Sequence, residues 1–164
     1  MGILMPEGIA KRLAFNLYTM TLSELPVANF DFSVQNCGGQ KERQQFAVDM
    51  LYRCWKSSLI EVFDDVVAKS LGIQGADEFV GRLSRASLFE DCLSDEGVIW
   101  HAAQFEATAS CVALLTRSVS REVDMDDPIK VLKFNRDTCD LFAEHGVPWQ
   151  DGALFPIHLG VEEW

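Results

Sequence analysis

The chain has 164 residues, of which 48% are hydrophobic and 24% are charged, and this length and composition indicate one globular domain and exclude a disordered chain. Its 25 acidic and 14 basic residues give a formal net charge of −11, which disfavours binding to nucleic acid or to an anionic membrane surface. The five cysteines are odd in number and widely spaced, so they predict neither a disulfide framework nor a zinc site.

The first predicted helix runs from Glu7 to Thr21. Ile9, Leu13 and Leu17 recur every four residues and form one apolar stripe, which is the spacing of an amphipathic helix. Pro26 ends any helix that reaches it, because its ring cannot continue the ladder of backbone hydrogen bonds.

Residues 27–40 show a different pattern. Phe30, Phe32 and Val34 alternate with polar residues, which is the period of a strand, and the pair of glycines that follows is typical of a turn. We predict an extended loop that packs its phenylalanines inward. A small sheet of short strands is the alternative, with partner strands at Ile3–Met5 or in the carboxy-terminal tail.

The segment from Lys41 to Leu71 contains no glycine or proline, and its apolar residues recur at helical spacing. We predict one long helix here, or two helices joined near residues 56–58. Gly72 follows directly and readily adopts the left-handed conformation that ends helices. Shorter helical pieces are predicted from Ala76 to Cys92, with Asp77 as the cap of the first.

A long helix is predicted from about Asp95 to Ser120, with Ser94 as its N-cap. It is rich in alanine and other small residues, which let neighbouring helices approach closely, so we place it at the centre of the domain.

The last predicted helix has clear boundaries, with Asp127 as its N-cap, Pro128 at its first position and Gly146 after its final turn. The tail from Trp149 to Trp164 is too apolar to be exposed, and we expect it to pack back across the helices. Together these elements predict a mostly α-helical, single-domain bundle of about five to six helices.

Neither a signal peptide nor a membrane span is predicted. The amino terminus has no basic segment before a long apolar stretch, and no window approaches the roughly 18 apolar residues of a membrane-spanning helix. Because free cysteines are typical of a reducing compartment, we expect a soluble, cytoplasmic protein with one domain over residues 1–164.

Familiar catalytic, cofactor and metal motifs are absent from the sequence. It has no glycine-rich phosphate-binding loop, and its three histidines, His101, His145 and His158, belong to no metal-binding motif. The run from Asp124 to Asp127 begins like a calcium loop, but Pro128 at the fifth position breaks that pattern. We therefore predict no catalytic residue, cofactor or metal, and we interpret His101 as a packing residue rather than a ligand or a general base.

Acidic residues are concentrated in the second half of the chain. Residues 1–82 contain 8 basic and 10 acidic side chains, a net of −2, whereas residues 83–164 contain 6 and 15, a net of −9. Eight carboxylates flank two predicted helix junctions, namely Glu90, Asp91, Asp95, Glu96, Glu122, Asp124, Asp126 and Asp127.

If both acidic junctions lie at the same end of the bundle, they form one surface that would attract a basic partner. Trp149, Phe155 and Trp164 would be aromatic anchors if they are exposed beside it. The alternative interpretation is that acidic residues are common at helix starts, where they complement the helix dipole.

In size, acidity, helix content and lack of catalytic motifs, the whole chain resembles the small acidic immunity proteins of bacterial toxin–immunity systems. The resemblance implies a non-enzymatic, cytoplasmic protein that occupies the basic, nucleic-acid-binding cleft of a toxin. Glu122, Asp124, Asp126 and Asp127 would then mimic phosphates. Because the resemblance lies in composition, it assigns no further site residues.

Two other functions fit the sequence. One is a small helical ligand-binding protein or enzyme with a pocket between helices near His101, which a deep apolar cavity there would favour. The other is a subunit of a helical homo-oligomer, in which the apolar tail packs on a neighbouring copy. The size of the protein in solution would test the second.

Overall fold

The structure is a computed structural model that describes residues 3–30, 39–87, 94–119, 126–150 and 152–157. Most of these residues are helical, which confirms the predicted mostly α class. The α-helices of the described residues are α1 (Glu7–Met20), α2 (Gln40–Lys56), α3 (Val66–Ser70), α4 (Gly75–Leu83), α5 (Asp95–His101), α6 (Ala109–Ser118) and α7 (Pro128–Glu144). The strands are β1 (Leu25–Pro26), β2 (Ile60–Asp64) and β3 (Gln104–Ala107), which form one antiparallel sheet in the order β1-β3-β2. None of the described helices is long and apolar enough to cross a membrane.

Helix α2 ends at Lys56, so the junction expected at residues 56–58 is confirmed. Ser58 has a positive φ of 57°, and the amide of Leu59 donates to the carbonyl of Cys54 at 2.9 Å, which is the hydrogen bond that closes a helix after a left-handed residue. The prediction of helix directly after the junction is wrong, because strand β2 follows and α3 begins only after it.

Strand β3 interrupts the long helix predicted from Asp95 to Ser120, and that prediction is wrong. Helix α5 ends at His101, and β3 pairs with β1 on one side and with β2 on the other. Thr108 then starts α6, because its hydroxyl accepts from the amide of Cys111 at 3.3 Å, and its own amide donates to the carbonyl of Leu59 at 3.1 Å. Hydrogen bonds between segments distant in sequence therefore override the local preference for helix.

The core lies where the sheet meets the helices. Phe105 of β3 is fully buried and packs edge to face on Phe79 of α4 and Trp55 of α2, with ring centroids 5.7 and 5.1 Å away. Trp100 of α5 is also fully buried, and its indole N–H donates to the carbonyl of Ala86 at 3.0 Å. Strand β3 therefore takes the central place that the sequence predicted for a helix.

Residues 27–30 do not form the extended loop that was predicted over 27–40. The segment Val27–Phe30 is a 3-10 helix that packs against α2 and α5, and its first and last side chains are fully buried. Val27 and Phe30 are three residues apart, so one turn of 3-10 helix buries both, whereas a strand would bury every second residue. The inward packing of Phe30 is confirmed, and residues 32–34 lie outside the described part of the chain.

Several predicted helix ends are confirmed. The hydroxyl of Ser94 accepts a hydrogen bond from an amide in the first turn of α5 at 2.9 Å. Gly72 and Gly146 have φ angles of 67° and 73°, a conformation that glycine adopts with little strain. The prediction that Asp77 caps a helix is wrong, because α4 begins at Gly75 and Asp77 lies in its first turn.

Asp137 joins α6 to α7. Its Oδ2 accepts hydrogen bonds from the hydroxyl of Ser118 at 2.8 Å and from Lys133 Nζ at 2.9 Å, and it lies 3.4 Å from Nε of Arg117. Burial by itself would raise the pKa of this carboxyl. The hydrogen bonds from Lys133 and Ser118 and the two basic charges outweigh burial, so the pKa of Asp137 lies below its ordinary value of 3.8.

Replacement of Asp137 by asparagine is expected to lower the free energy of unfolding by about 0.5–1 kcal/mol at neutral pH and to have no effect in acid. A carboxyl with a lowered folded pKa stabilises the fold above its unfolded pKa, and this stabilisation is lost as the pH falls through the folded value. Urea unfolding of both proteins at pH 7 and at a pH below the folded pKa of Asp137 measures the difference. Asp140→Asn, at an exposed position of the same helix, is the control, and a difference for Asp137→Asn that persists in acid would contradict the prediction.

Candidate functional site

The structure describes part of the acidic surface predicted from the sequence. Asp126 and Asp127 lie at the start of α7, and Asp95 and Glu96 lie in the first turn of α5. The other four acidic residues are outside the described residues, namely Glu90, Asp91, Glu122 and Asp124. Helix α5 packs mainly on α3, α4 and the 3-10 helix, whereas α7 packs mainly on α1, α2 and α6. Different elements of the fold therefore hold the two acidic helix starts.

Asp127 caps α7, as predicted. Its Oδ1 accepts hydrogen bonds from the amides of Ile129 and Lys130 at 2.9 and 3.4 Å, and Pro128 occupies the first position of the helix. Asp127 therefore has a structural role in addition to the charge that it contributes to the surface.

Glu7 brings a further carboxylate to the start of α7, because α1 and α7 pack against each other and Glu7 lies in the same groove as Pro128. Glu7 Oε1 lies 2.7 Å from Lys11 Nζ. The hydrogen bond to Glu7 raises the pKa of Lys11, and the charges of Glu7 and Asp126 add to this effect. The starts of the two helices thus form one acidic region, in which three carboxylates, those of Glu7, Asp126 and Asp127, outnumber Lys11.

A groove of about 210 Å³ lies between the amino-terminal segment and α7 in this acidic region. Leu4 and Leu132 line it and are 37% and 47% exposed. Asn135 fixes the segment, because its side chain accepts from the amide of Met5 at 3.1 Å and donates to the carbonyl of Met5 at 2.7 Å. We call this feature the α1–α7 groove, defined by Leu4, Glu7, Pro128, Leu132 and Asn135.

A larger cleft of about 490 Å³ lies between α2 and the segment that follows α7. Its walls are mostly apolar, and Lys41 and Glu42 stand at its exposed edge. We call this feature the α2 cleft, defined by Ile9, Phe46, Asp49, Arg53, Trp149 and Ala153.

Two polar side chains of α2, Gln45 and Asp49, hold residues 154–157, which cover this helix. Gln45 accepts from the amide of Ile157 at 2.9 Å and donates to the carbonyl of Phe155 at 2.8 Å. Oδ1 of Asp49 accepts from the amides of Leu154 and Phe155, both at 3.1 Å. Burial raises the pKa of Asp49, and the two amide hydrogen bonds oppose that shift.

Arg53 is a buried cation in the wall of the α2 cleft, with 1% of its surface exposed. Its Nε donates to the carbonyl of Pro148 at 3.3 Å and its Nη1 to the carbonyl of Asp49 at 3.4 Å. Its Cζ lies 5.2 Å from the ring centroid of Trp149, within the range of a cation–π contact. Nη2 has no hydrogen-bond partner among the described residues.

The sequence contained a signal for this cleft that was not used in the predictions above. Phe46, Asp49 and Arg53 are three and four residues apart, which places them on one face of a helix. Charged residues are rarely buried unless they are paired. An aspartate and an arginine within an apolar stripe therefore indicate a buried site with polar partners.

The other residues singled out from the sequence are His101 and three aromatic residues of the tail. His101 is exposed at the end of α5, where it lines neither the α1–α7 groove nor the α2 cleft. The prediction of a packing histidine is therefore wrong, because the helix ends at this residue. Trp149 and Phe155 are partly buried, Phe155 edge to face with Tyr52 at 4.6 Å, and Trp164 lies outside the described residues.

The described cysteines provide no reactive thiol. Cys54, Cys111 and Cys139 are buried, and burial raises the pKa of each thiol, that of Cys111 to about 12. Such thiols are protonated at neutral pH and are weak nucleophiles. In the part of the chain that the structure describes, no group of three or more His, Cys, Asp or Glu side chains is placed to hold a metal ion.

Comparisons with known proteins give no family for this chain. No protein-family model, no curated protein and no solved structure matches it, so similarity assigns neither a function nor a site residue.

Proposed function

We propose that this protein is a non-enzymatic, acidic protein that binds a basic protein partner, and that it acts as an immunity protein that neutralises a basic toxin. The observation that supports this proposal is the α1–α7 groove, where the exposed side chains of Leu4 and Leu132 lie with Glu7 at the start of α7, which Asp126 and Asp127 precede. Protein interfaces combine an apolar centre with a polar rim. A partner that presents an apolar side chain among lysines or arginines matches this arrangement.

The charge of the chain favours the same partner. A net charge of −11 speeds the encounter with a basic protein and slows it with acidic ones. Glu122 and Asp124 precede Asp126 and Asp127 closely in the sequence, so the four carboxylates are candidates for binding the phosphate-binding residues of a toxin that acts on nucleic acid.

The first test is capture of the partner by the tagged full chain from a lysate of cells that produce it, at low and at high salt. We expect a basic protein in stoichiometric amount at low salt and its loss at high salt, because salt screens interactions between exposed charges. Recovery of an acidic or neutral partner, or of a basic one whose binding does not depend on salt, would contradict the proposal.

Charge reversal then tests the phosphate-mimic residues with the purified partner. Glu122, Asp124 and Asp126 are each changed to lysine and Asp127 to asparagine, which keeps the helix cap because asparagine caps about as well as aspartate. We expect affinity to fall by about tenfold or more, mainly through slower association. Unchanged affinity would rule out phosphate mimicry by these residues.

Leu132→Glu tests the apolar part of the groove. Leu22→Glu is the matched control, because Leu22 is 71% exposed and follows the opposite end of α1. We expect about a tenfold or greater loss of affinity for Leu132→Glu, as for a residue at the centre of an interface, and none for Leu22→Glu. Equal affinities of the two variants would exclude the groove from the contact surface.

A further inference from the structure

The α2 cleft contains a buried positive charge that the described residues do not neutralise directly. None of the ion pairs among those residues includes Arg53, and its hydrogen bonds run to two backbone carbonyls at 3.3 and 3.4 Å. Asp49 lies one turn earlier on α2, but its Oδ1 accepts from two amides of the covering segment. A buried charge is unfavourable unless it is paired and hydrogen-bonded.

The pKa of Arg53 is consistent with this arrangement. Burial lowers it, and the charge of Asp49 only opposes that shift. Trp149 contributes a cation–π contact, which is weaker than a direct ion pair in a buried site. The guanidinium therefore retains an unused donor, Nη2, in a wall of an apolar cleft.

The size and lining of the cleft indicate what kind of molecule fits. A volume of about 490 Å³ is within the range of small-molecule sites, which are mostly apolar and contain a few polar groups. Ile9, Phe46 and Ala153 provide apolar lining beside the charged group. A ligand with an apolar body and one anionic group matches both features.

We propose that the α2 cleft binds a small organic carboxylate, with the carboxylate paired to Arg53 and its apolar body between Ile9, Phe46 and Ala153. A planar guanidinium suits the two oxygens of a carboxylate. A phosphate dianion needs several donors around it, and the other basic side chain of the lining, Lys41, stands at the exposed edge of the cleft. Trp149 lies over the guanidinium, so its indole moves when the ligand enters.

This inference uses residues separate from the α1–α7 groove, and its test is independent of any protein partner. The full chain is titrated with benzoate, cyclohexanecarboxylate and hexanoate, each beside its neutral amide, and with inorganic phosphate, and binding is read by ligand-observed NMR. We expect at least one acid to bind about tenfold or more tightly than its amide, the discrimination typical of a paired charge. Equal binding of every acid and its amide, or preference for phosphate, would overturn the proposal.

Two variants locate the site. Arg53→Met removes the charge and keeps an apolar side chain of similar length, so we expect an unfolding midpoint equal to or above that of the unchanged chain without ligand and no preference for the acid. Ala153→Trp fills the exposed edge of the cleft, and Ala143→Trp, at an exposed position of α7 outside it, is the matched control. A preference for the acid that survives in Arg53→Met, or acid binding that survives in Ala153→Trp, would place the ligand elsewhere and overturn the assignment.

Discussion

Replacement of Phe105 by alanine is expected to lower the free energy of unfolding by about 3–5 kcal/mol. Phe105 is fully buried on β3, the central strand, and its ring packs edge to face on Trp55 and Phe79. The substitution removes both aromatic contacts and leaves a cavity that three separate elements border. Because domains of this kind are stable by only about 5–15 kcal/mol, the loss is a large fraction of the total.

Phe63→Ala is the matched control for this substitution, because Phe63 lies on the neighbouring strand β2 and is 50% exposed. We expect its effect to stay within about 0.5 kcal/mol. Both variants are compared with the unchanged chain by urea unfolding followed by circular dichroism. Similar effects of the two substitutions would show that Phe105 is not at the centre of the core.

Replacement of Asp49 by alanine is expected to lower the free energy of unfolding by about 2–4 kcal/mol, because two amides lose a charge-assisted hydrogen bond. Those amides belong to Leu154 and Phe155, which anchor the segment that covers α2. We expect faster hydrogen exchange at both amides, and also exposure of Trp149, since the same segment forms that wall of the α2 cleft. Unfolding curves and exchange rates measure the two effects.

Asp49→Asn separates the charge of this side chain from its hydrogen bonds. The asparagine oxygen accepts from the same amides, and burial already raises the pKa of Asp49, so the charge contributes less than the hydrogen bonds. We expect the asparagine variant to lose less than half as much stability as the alanine variant. Equal losses would show that charge, and not amide hydrogen bonding, holds the segment.

Signals confined to a few neighbouring residues were sufficient to predict the ends of several helices. The apolar stripe of α1, the caps at Ser94 and Asp127 and the glycines after α3 and α7 are found where they were predicted. Each depends on the conformation of one residue or on hydrogen bonds within one turn. The local sequence therefore contains everything that determines where these helices end.

The sheet could not be predicted in the same way. Residues 60–64 and 104–107 form strands although their surroundings have the spacing of helices, because short apolar segments fit either structure. Their pairing joins positions more than 40 residues apart, such as Ile60 with Ala107. Such pairing depends on which segments meet in the folded chain, and no local pattern contains that information.

The same distinction between local signals and tertiary contacts applies to the candidate sites. By itself the sequence determined the mostly helical class, the helix ends and the acidic character, because composition and local hydrogen bonding are sufficient for these. The tertiary structure decided that Glu7 and the start of α7, which Asp126 and Asp127 precede, meet at the α1–α7 groove. It also decided that Arg53 is buried beside Trp149, because the segment after α7 folds back over α2 and removes that face from water.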